Sequence, residues 1–245
     1  MAWKNIRPRP TSNGMKAIIL AAGEGKRMLP LTSATPKPLL MIGGKTVLDH
    51  IFEGFPEEIT EAVIVVRYLG EKIKAYCGSV FSGRKIQYAE GSEKGNAYSF
   101  LAAAPYVRAD ERVMILYADE IPSAENMKKC LAREYSWLCK ETARPKSAGV
   151  VKLRTDGTIE EILEKSEHPP SSMAAIGLMV LPGEIFQYEP IQNVNGEYYF
   201  SSMVNQFLKK GKVYAVETVG GCSLTKPEDI PNVEAFLAAR KNNHA

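Results

Sequence analysis

Histidine and cysteine are scarce in this chain of 245 residues, with three of the first (His50, His168, His244) and four of the second (Cys77, Cys130, Cys139, Cys222). No Cys-x-x-Cys pair occurs and no His lies beside a Cys in sequence. Zinc sites and Cys–His catalysis need such groupings, so both are poor readings, and reduced, packed thiols are the better one. Long apolar runs are missing too. No stretch reaches the ~20 residues that a bilayer demands, and the N-terminus lacks the apolar core of a secretory signal. A soluble, cytoplasmic protein with no membrane partner is expected. Charge of one sign is also lacking: 31 Lys and Arg stand against 28 Asp and Glu, scattered along the chain, so no nucleic-acid footprint is expected beyond local patches. No internal repeat is visible, and the Walker phosphate-binding pattern is absent.

What is there begins at residue 15. Residues 1–14, with Lys4, Arg7 and Arg9 among prolines, read as a disordered extension, and residues 15–245 as a single domain, large enough to bury a substantial core. Lys16 to Leu20 is a short run of Ala, Ile and Leu without alternation, as a strand covered on both faces requires. It feeds Ala21, Ala22, Gly23, Glu24 and Gly25, whose small residues let a backbone approach a ligand and turn free N–H groups toward phosphate oxygens. Arg27 and Lys37 add positive charge, with Pro30, Pro36 and Pro38 stiffening the chain around them. A buried strand, a glycine loop and two spaced cations together read as a site for a nucleoside triphosphate.

Further along, apolar positions at helical spacing predict helices over 46–55, 70–80, 96–106, 201–209 and 226–241, and apolar runs predict strands over 62–66, 85–89, 112–117, 149–153, 158–163, 175–181 and 212–216. Strands alternating with helices predict an α/β fold whose central sheet is mixed and mainly parallel, with ligands at the carboxyl ends of the strands. Those ends carry Ala21-Ala22-Gly23, Glu90 and Asp119. Asp119 ends the apolar strand Val113 to Leu116, and a carboxylate placed there suits magnesium, which binds through one or two carboxylates plus phosphates.

Leu20-Ala-Ala-Gly23-Glu-Gly25-Lys26-Arg27-Met28-Leu-Pro30-Leu-Thr32, followed by Pro36-Lys37-Pro38-Leu39, resembles the signature of the sugar-phosphate nucleotidyltransferase family. The resemblance implies a three-layer, Rossmann-like (glycosyltransferase-A-like) fold, with a nucleotide-binding half over 15–122 and an acceptor half over 123–245. It implies transfer of a nucleotidyl group from a triphosphate to a sugar 1-phosphate, releasing pyrophosphate, in glycan biosynthesis. Arg27 and Lys37 would hold the β/γ- and α-phosphates, Asp119 a magnesium ion, and Leu20 to Lys26, Gly95 and Asn96 the nucleotide. Asn96, Glu164, Lys165 and Gly177 would meet the acceptor, Lys165 orienting its phosphate. A homo-oligomer stays open.

Glu90 stands where relatives using uracil or thymine tend to carry Gln. A carboxylate only accepts, which suits the donors of guanine or the amino group of cytosine, and the reading leans to GTP. Ala22, in contrast, resembles the loops of uridylyl transferases. Asn96 replaces the family's Thr and Ala118 a Gly, and the acceptor half departs further: Ser166 replaces a Pro, Ala175 an Asn and Ser202 an acid. Ser223 falls near the second metal-ligand Asp, and a hydroxyl is the poorer ligand, with Glu120 and Glu217 as acids that could substitute. Two other readings therefore stand beside transfer: a nucleotide-binding regulatory protein with weak or lost turnover, and a phosphocholine cytidylyltransferase whose acceptor box would use Tyr98, Tyr198, Tyr199 and Phe200.

Overall fold

The computed structural model describes residues 14–242, so the extension expected over 1–14 lies outside the described residues except for Gly14. Met15–Ala21 forms β1, whose Ala17, Ile18 and Ile19 are fully buried. Thr46 then opens helix α1 (Val47–Gly54) with a reciprocal cap: the Asp49 N–H donates to Thr46 Oγ1 (3.1 Å) and the Thr46 N–H to Asp49 Oδ2 (2.7 Å). Strand β2 (Ile59–Val66) pairs in parallel with β1, Ala21 opposite Val66. Helix α2 (Gly70–Cys77) ends short of the expected residue 80 because Gly78 takes φ +59°, a conformation that stops the helix. Strand β3 (Arg84–Glu90) is parallel to β2, and helix α3 (Asn96–Leu101) yields near Pro105 to a short 3-10 turn, Ala104–Tyr106, where a continuous helix was expected.

Strand β4 (Arg112–Tyr117) returns alongside β1, again parallel, Leu20 opposite Tyr117. The second half continues with β5 (Glu120–Pro122), α4 (Ala124–Leu131), β6 (Ser136–Glu141), β7 (Gly149–Leu153), β8 (Ile159–Glu164), β9 (Met173–Pro182), α5 (Ser201–Phe207), β10 (Tyr214–Glu217), β11 (Gly221–Ser223) and α6 (Ile230–Asn242). The main sheet runs β8-β7-β9-β4-β1-β2-β3, with the edge pair Val80–Phe81 beyond β3, while β6 joins β9 to β10. It is mixed: parallel from β4 through β1 and β2 to β3, then antiparallel where β9 meets β4, β6 and β7. Helices α1, α2, α4 and α6 cover one face, and α3 and α5 the other, giving three layers and two apolar cores.

The two halves are locked where the 198–200 segment crosses the start of α3. Gly95 takes φ +124°, and a Cβ there would stand 2.8 Å from the Tyr198 carbonyl oxygen. Gly95→Ala must both adopt a strained backbone and displace main chain, so it is expected to cost roughly 2 kcal/mol or more. In a chain of this size that lowers the melting temperature by about 4–8 °C, and an unchanged thermal melt would contradict this packing.

Candidate active site

The carboxyl ends of β1, β2 and β4 open on a cleft of about 510 Å3. Leu20 to Arg27 line it continuously, joined by Lys37, Gly95, Asn96 and Asp119, so most of the expected nucleotide site is brought together by the fold. Gly25 sits at φ +65° and opens the 3-10 turn Lys26–Met28; its carbonyl accepts from Thr32 Oγ1 (2.9 Å) and the Met28 N–H (2.8 Å). Thr32 is fully buried, so the loop is fastened from behind while its front stays open: a Cβ on Gly23 would meet nothing within 4 Å. Tyr68 donates to the Thr32 carbonyl (2.9 Å) and Lys72 to that of Ala34 (2.6 Å), which ties the proline-rich stretch to the segment around α2.

Lys37 begins a second 3-10 turn, Lys37–Leu39, after Pro36. Its side chain is almost wholly buried, yet the ammonium stands 2.9 Å from Asp119 Oδ2. Asp119 lies just beyond β4, where its main chain is pinned on both sides: the Ala118 N–H donates to the Leu20 carbonyl (3.1 Å) and the Leu224 N–H to that of Asp119 (2.8 Å). A cation and a carboxylate from distant segments thus face one another at the edge of the glycine loop. Glu120, next in sequence, differs: burial, and then the charge of Asp119, push its carboxyl up to about 7.

Asn96, expected to meet the acceptor, does two jobs at once. Its Nδ2 donates to Tyr117 Oη (3.3 Å) and its Oδ1 accepts from the Phe200 N–H (2.8 Å). A Cβ at residue 177 would lie 2.8 Å from Tyr117 Cβ, so Gly177 makes room for that ring, whose phenol burial holds neutral by raising its pKa. Glu164, raised by burial, accepts from Ser201 Oγ (2.7 Å). Lys165, at φ +49°, places its ammonium 3.4 Å from Glu197 Oε2 and 5.3 Å from the Tyr199 ring centre.

Glu164, Lys165, Gly177, Ser223 and Glu90 do not line the cleft. Ser223 is exposed, paired across the small β5–β11 sheet with Glu120. Glu90 is exposed at the end of β3, on the strand face it shares by alternation with Ile86 and Tyr88, which pack in the core beneath α1 and α2. Glu90 therefore presents no carboxylate to a guanine or cytosine edge in the cleft. The aromatic box is altered as well. Phe200 is core, 4.3 Å from Phe100, and the faces of Tyr98 and Tyr199 already carry Lys94 and Lys165. Arg67, Ser92, Glu93 and Thr225 also line the cleft and were not anticipated; the one available signal was Arg67, a cation directly after the apolar run that becomes β2.

The pattern of the nucleotidyl transferase family matches residues 16–244. The chain belongs to this family. It is 30% identical over 233 residues to the bifunctional protein GlmU of Methanocaldococcus jannaschii, a match covering 93% of this chain and 55% of that protein. It is 30% identical over 237 residues to the UTP–glucose-1-phosphate uridylyltransferase AglF of Haloferax volcanii, covering 91% of this chain and 96% of the other. The nucleotidyl transferase domain thus accounts for nearly all of the chain, which spans about half the length of the GlmU relatives it matches. A UDP-glucose pyrophosphorylase from Acinetobacter baumanii superposes with a TM-score of 0.77 over 90% of this chain and 92% of its own at 15% identity, a likeness of fold. Among the described residues no helix is long and apolar enough to cross a membrane.

Proposed function

We propose that this chain transfers a nucleotidyl group from a nucleoside triphosphate, UTP or its thymidine counterpart, to a sugar 1-phosphate. The observation that carries the proposal is the convergence of the glycine loop, Arg27, Lys37 and Asp119, from separate segments, on one cleft. Both substrates are anions, so the catalyst must position them and neutralise charge; no nucleophilic side chain is needed. An oxygen of the sugar phosphate attacks the α-phosphorus, the new P–O bond forms in line with the bond that breaks, and pyrophosphate departs. In this reading the loop N–H groups and Arg27 hold the β- and γ-phosphates, and Lys37 meets the α-phosphate. Asn96 and Tyr117, which share a hydrogen bond in the cleft, would then meet the acceptor sugar, with Gly177 making room for the Tyr117 ring. In the same reading Lys165, which stands outside the cleft beside Glu197 and Tyr199, would orient the acceptor phosphate.

The donor set suits magnesium. Of the carboxylates that line the cleft, Glu24 and Glu93 are engaged by Arg67, which leaves Asp119, beside Lys37, to meet an ion completed by phosphate oxygens and water. Held by Asp119, it would neutralise charge on the triphosphate. The preference for uracil or thymine rests on the name of the AglF relative, on Ala22 in the loop, and on the exclusion of Glu90 from the cleft. The test is pyrophosphate release with each of four triphosphates against a panel of sugar 1-phosphates, with phosphocholine included. Release is expected with UTP or dTTP and a hexose 1-phosphate. Release with GTP alone would overturn the base assignment, and release only with CTP and phosphocholine would overturn the acceptor.

The exposed Ser223, in place of an acid, favours one competing reading, nucleotide binding without turnover. Under either reading UTP with magnesium raises the melting temperature by mass action, at a hundredfold excess over Kd by about 2.7 kcal/mol of stability. A melt unmoved by every triphosphate would remove the nucleotide site itself.

A further inference from the structure

Arg67 follows the last residue of β2, between the end of β1, which feeds the glycine loop, and the end of β3, which feeds the 91–95 loop. Its guanidinium bridges both loops. Nη2 stands 3.0 Å from Glu24 Oε1 on the glycine loop, and Nη1 stands 2.7 Å from Glu93 Oε1 on the other. The loops are close already: a Cβ on Gly91 would lie 2.5 Å from Ala22 Cβ. Nε is buried and has no hydrogen-bond partner among the described residues, so the two carboxylates hold the side chain in place at the expense of an orphaned donor. Glu24, also bound by Lys26 (3.1 Å), is held ionised by Arg67 first and Lys26 second. Unneutralised, that carboxylate would repel a triphosphate seated on the same loop.

We propose that Arg67 is a positioning residue for the nucleotide, a clasp that joins Glu24 to Glu93 and sets the width of the cleft between the glycine loop and the 91–95 loop, where this proposal seats the base. A planar guanidinium can hold two carboxylates at once, which an ammonium on a single stem does poorly. Opening the clasp releases the 91–95 loop, frees the charge of Glu24 toward the phosphates and widens the slot for the base. The inference rests on the nucleotide-binding reading above and deepens it.

The experiment is calorimetric titration of UTP and of GTP with magnesium and no acceptor, on the full chain. Arg67→Ala is expected to weaken UTP about tenfold and to shrink the UTP-to-GTP preference about threefold, while the melting temperature without nucleotide falls by no more than about 4 °C. Arg67→Lys is expected to recover part of the affinity. Glu93→Ala is expected to weaken UTP less than Arg67→Ala does, and the double variant Arg67→Ala/Glu93→Ala to be no weaker than Arg67→Ala alone. UTP affinity within about twofold of the parent in Arg67→Ala, or losses that multiply in the double variant, would overturn the clasp while leaving the transfer reading standing. Binding is read without turnover, so a wild-type chain that binds but releases no pyrophosphate sinks transfer alone. A wild-type chain that binds no triphosphate overturns both.

Discussion

Asp119→Asn is expected to lower kcat/KM for the transfer by at least about a thousandfold while leaving the fold intact. The side chain is about one-third exposed and its structural contact is with Lys37 Nζ; the main chain at residue 119 is held independently by the Leu224 N–H. Asparagine keeps the shape and an acceptor oxygen for Lys37, and removes only the charge. Melting should therefore shift by less than about 4 °C. What is lost is the cleft carboxylate that Arg67 does not hold and that magnesium would use, so the magnesium concentration giving half-maximal rate should rise as well. Steady-state rates across a magnesium titration, with circular dichroism melts on the same samples, check both parts. Activity within about threefold of the parent at millimolar magnesium would remove Asp119 from the site.

Lys37→Met should reduce kcat by about a hundredfold to a thousandfold, more than it raises the KM for the triphosphate. Only 8% of Lys37 is exposed, and its stem is packed behind the glycine loop, where a Cβ on Gly25 would come within 3.5 Å of Lys37 Cβ. Methionine fills that channel with a side chain of similar length, so the change isolates the ammonium. The charge is most valuable as negative charge redistributes on the transferring phosphoryl group, which is why kcat should carry most of the loss. Lys37→Arg keeps the charge but brings a planar fork into a channel shaped for a point charge, and should not restore the rate. A loss confined to KM would mean that Lys37 only binds ground-state nucleotide.

The nucleotide half was legible because its parts are contiguous in sequence. β1, the turn at Gly25 and the cation of Lys37 lie within about two dozen residues, and the fold places Leu20 through Arg27 along one wall of the cleft. The parallel strands β1, β2 and β4 follow from unalternating apolar runs, while β3 mixes apolar and polar residues. The second half resisted for physical reasons. Ser136–Glu141 was not anticipated as a strand, because its burial comes from pairing with β9 and β10 and from Trp137 donating to the Ile176 carbonyl (2.7 Å), contacts far away in sequence. Helix α4 was missed although Ser123 caps it by accepting from the Asn126 N–H (3.1 Å), a signal the sequence did carry. Glu90 follows the expected strand, but it shares a strand face with Ile86 and Tyr88 and does not line the cleft, whereas Arg67 and Glu93 do. Ser223 lies in β11, whose alignment with β5 comes from sheet pairing that no local pattern encodes.

The most direct measurement follows the α-phosphorus. With α-labelled UTP, glucose 1-phosphate and magnesium, the account predicts that the label appears in a nucleotide-sugar, with one pyrophosphate per product and neither formed when either substrate is omitted. Label that remains in UTP with every sugar 1-phosphate supplied, and with dTTP, GTP or CTP in its place, would contradict it, even if each triphosphate raised the melting temperature.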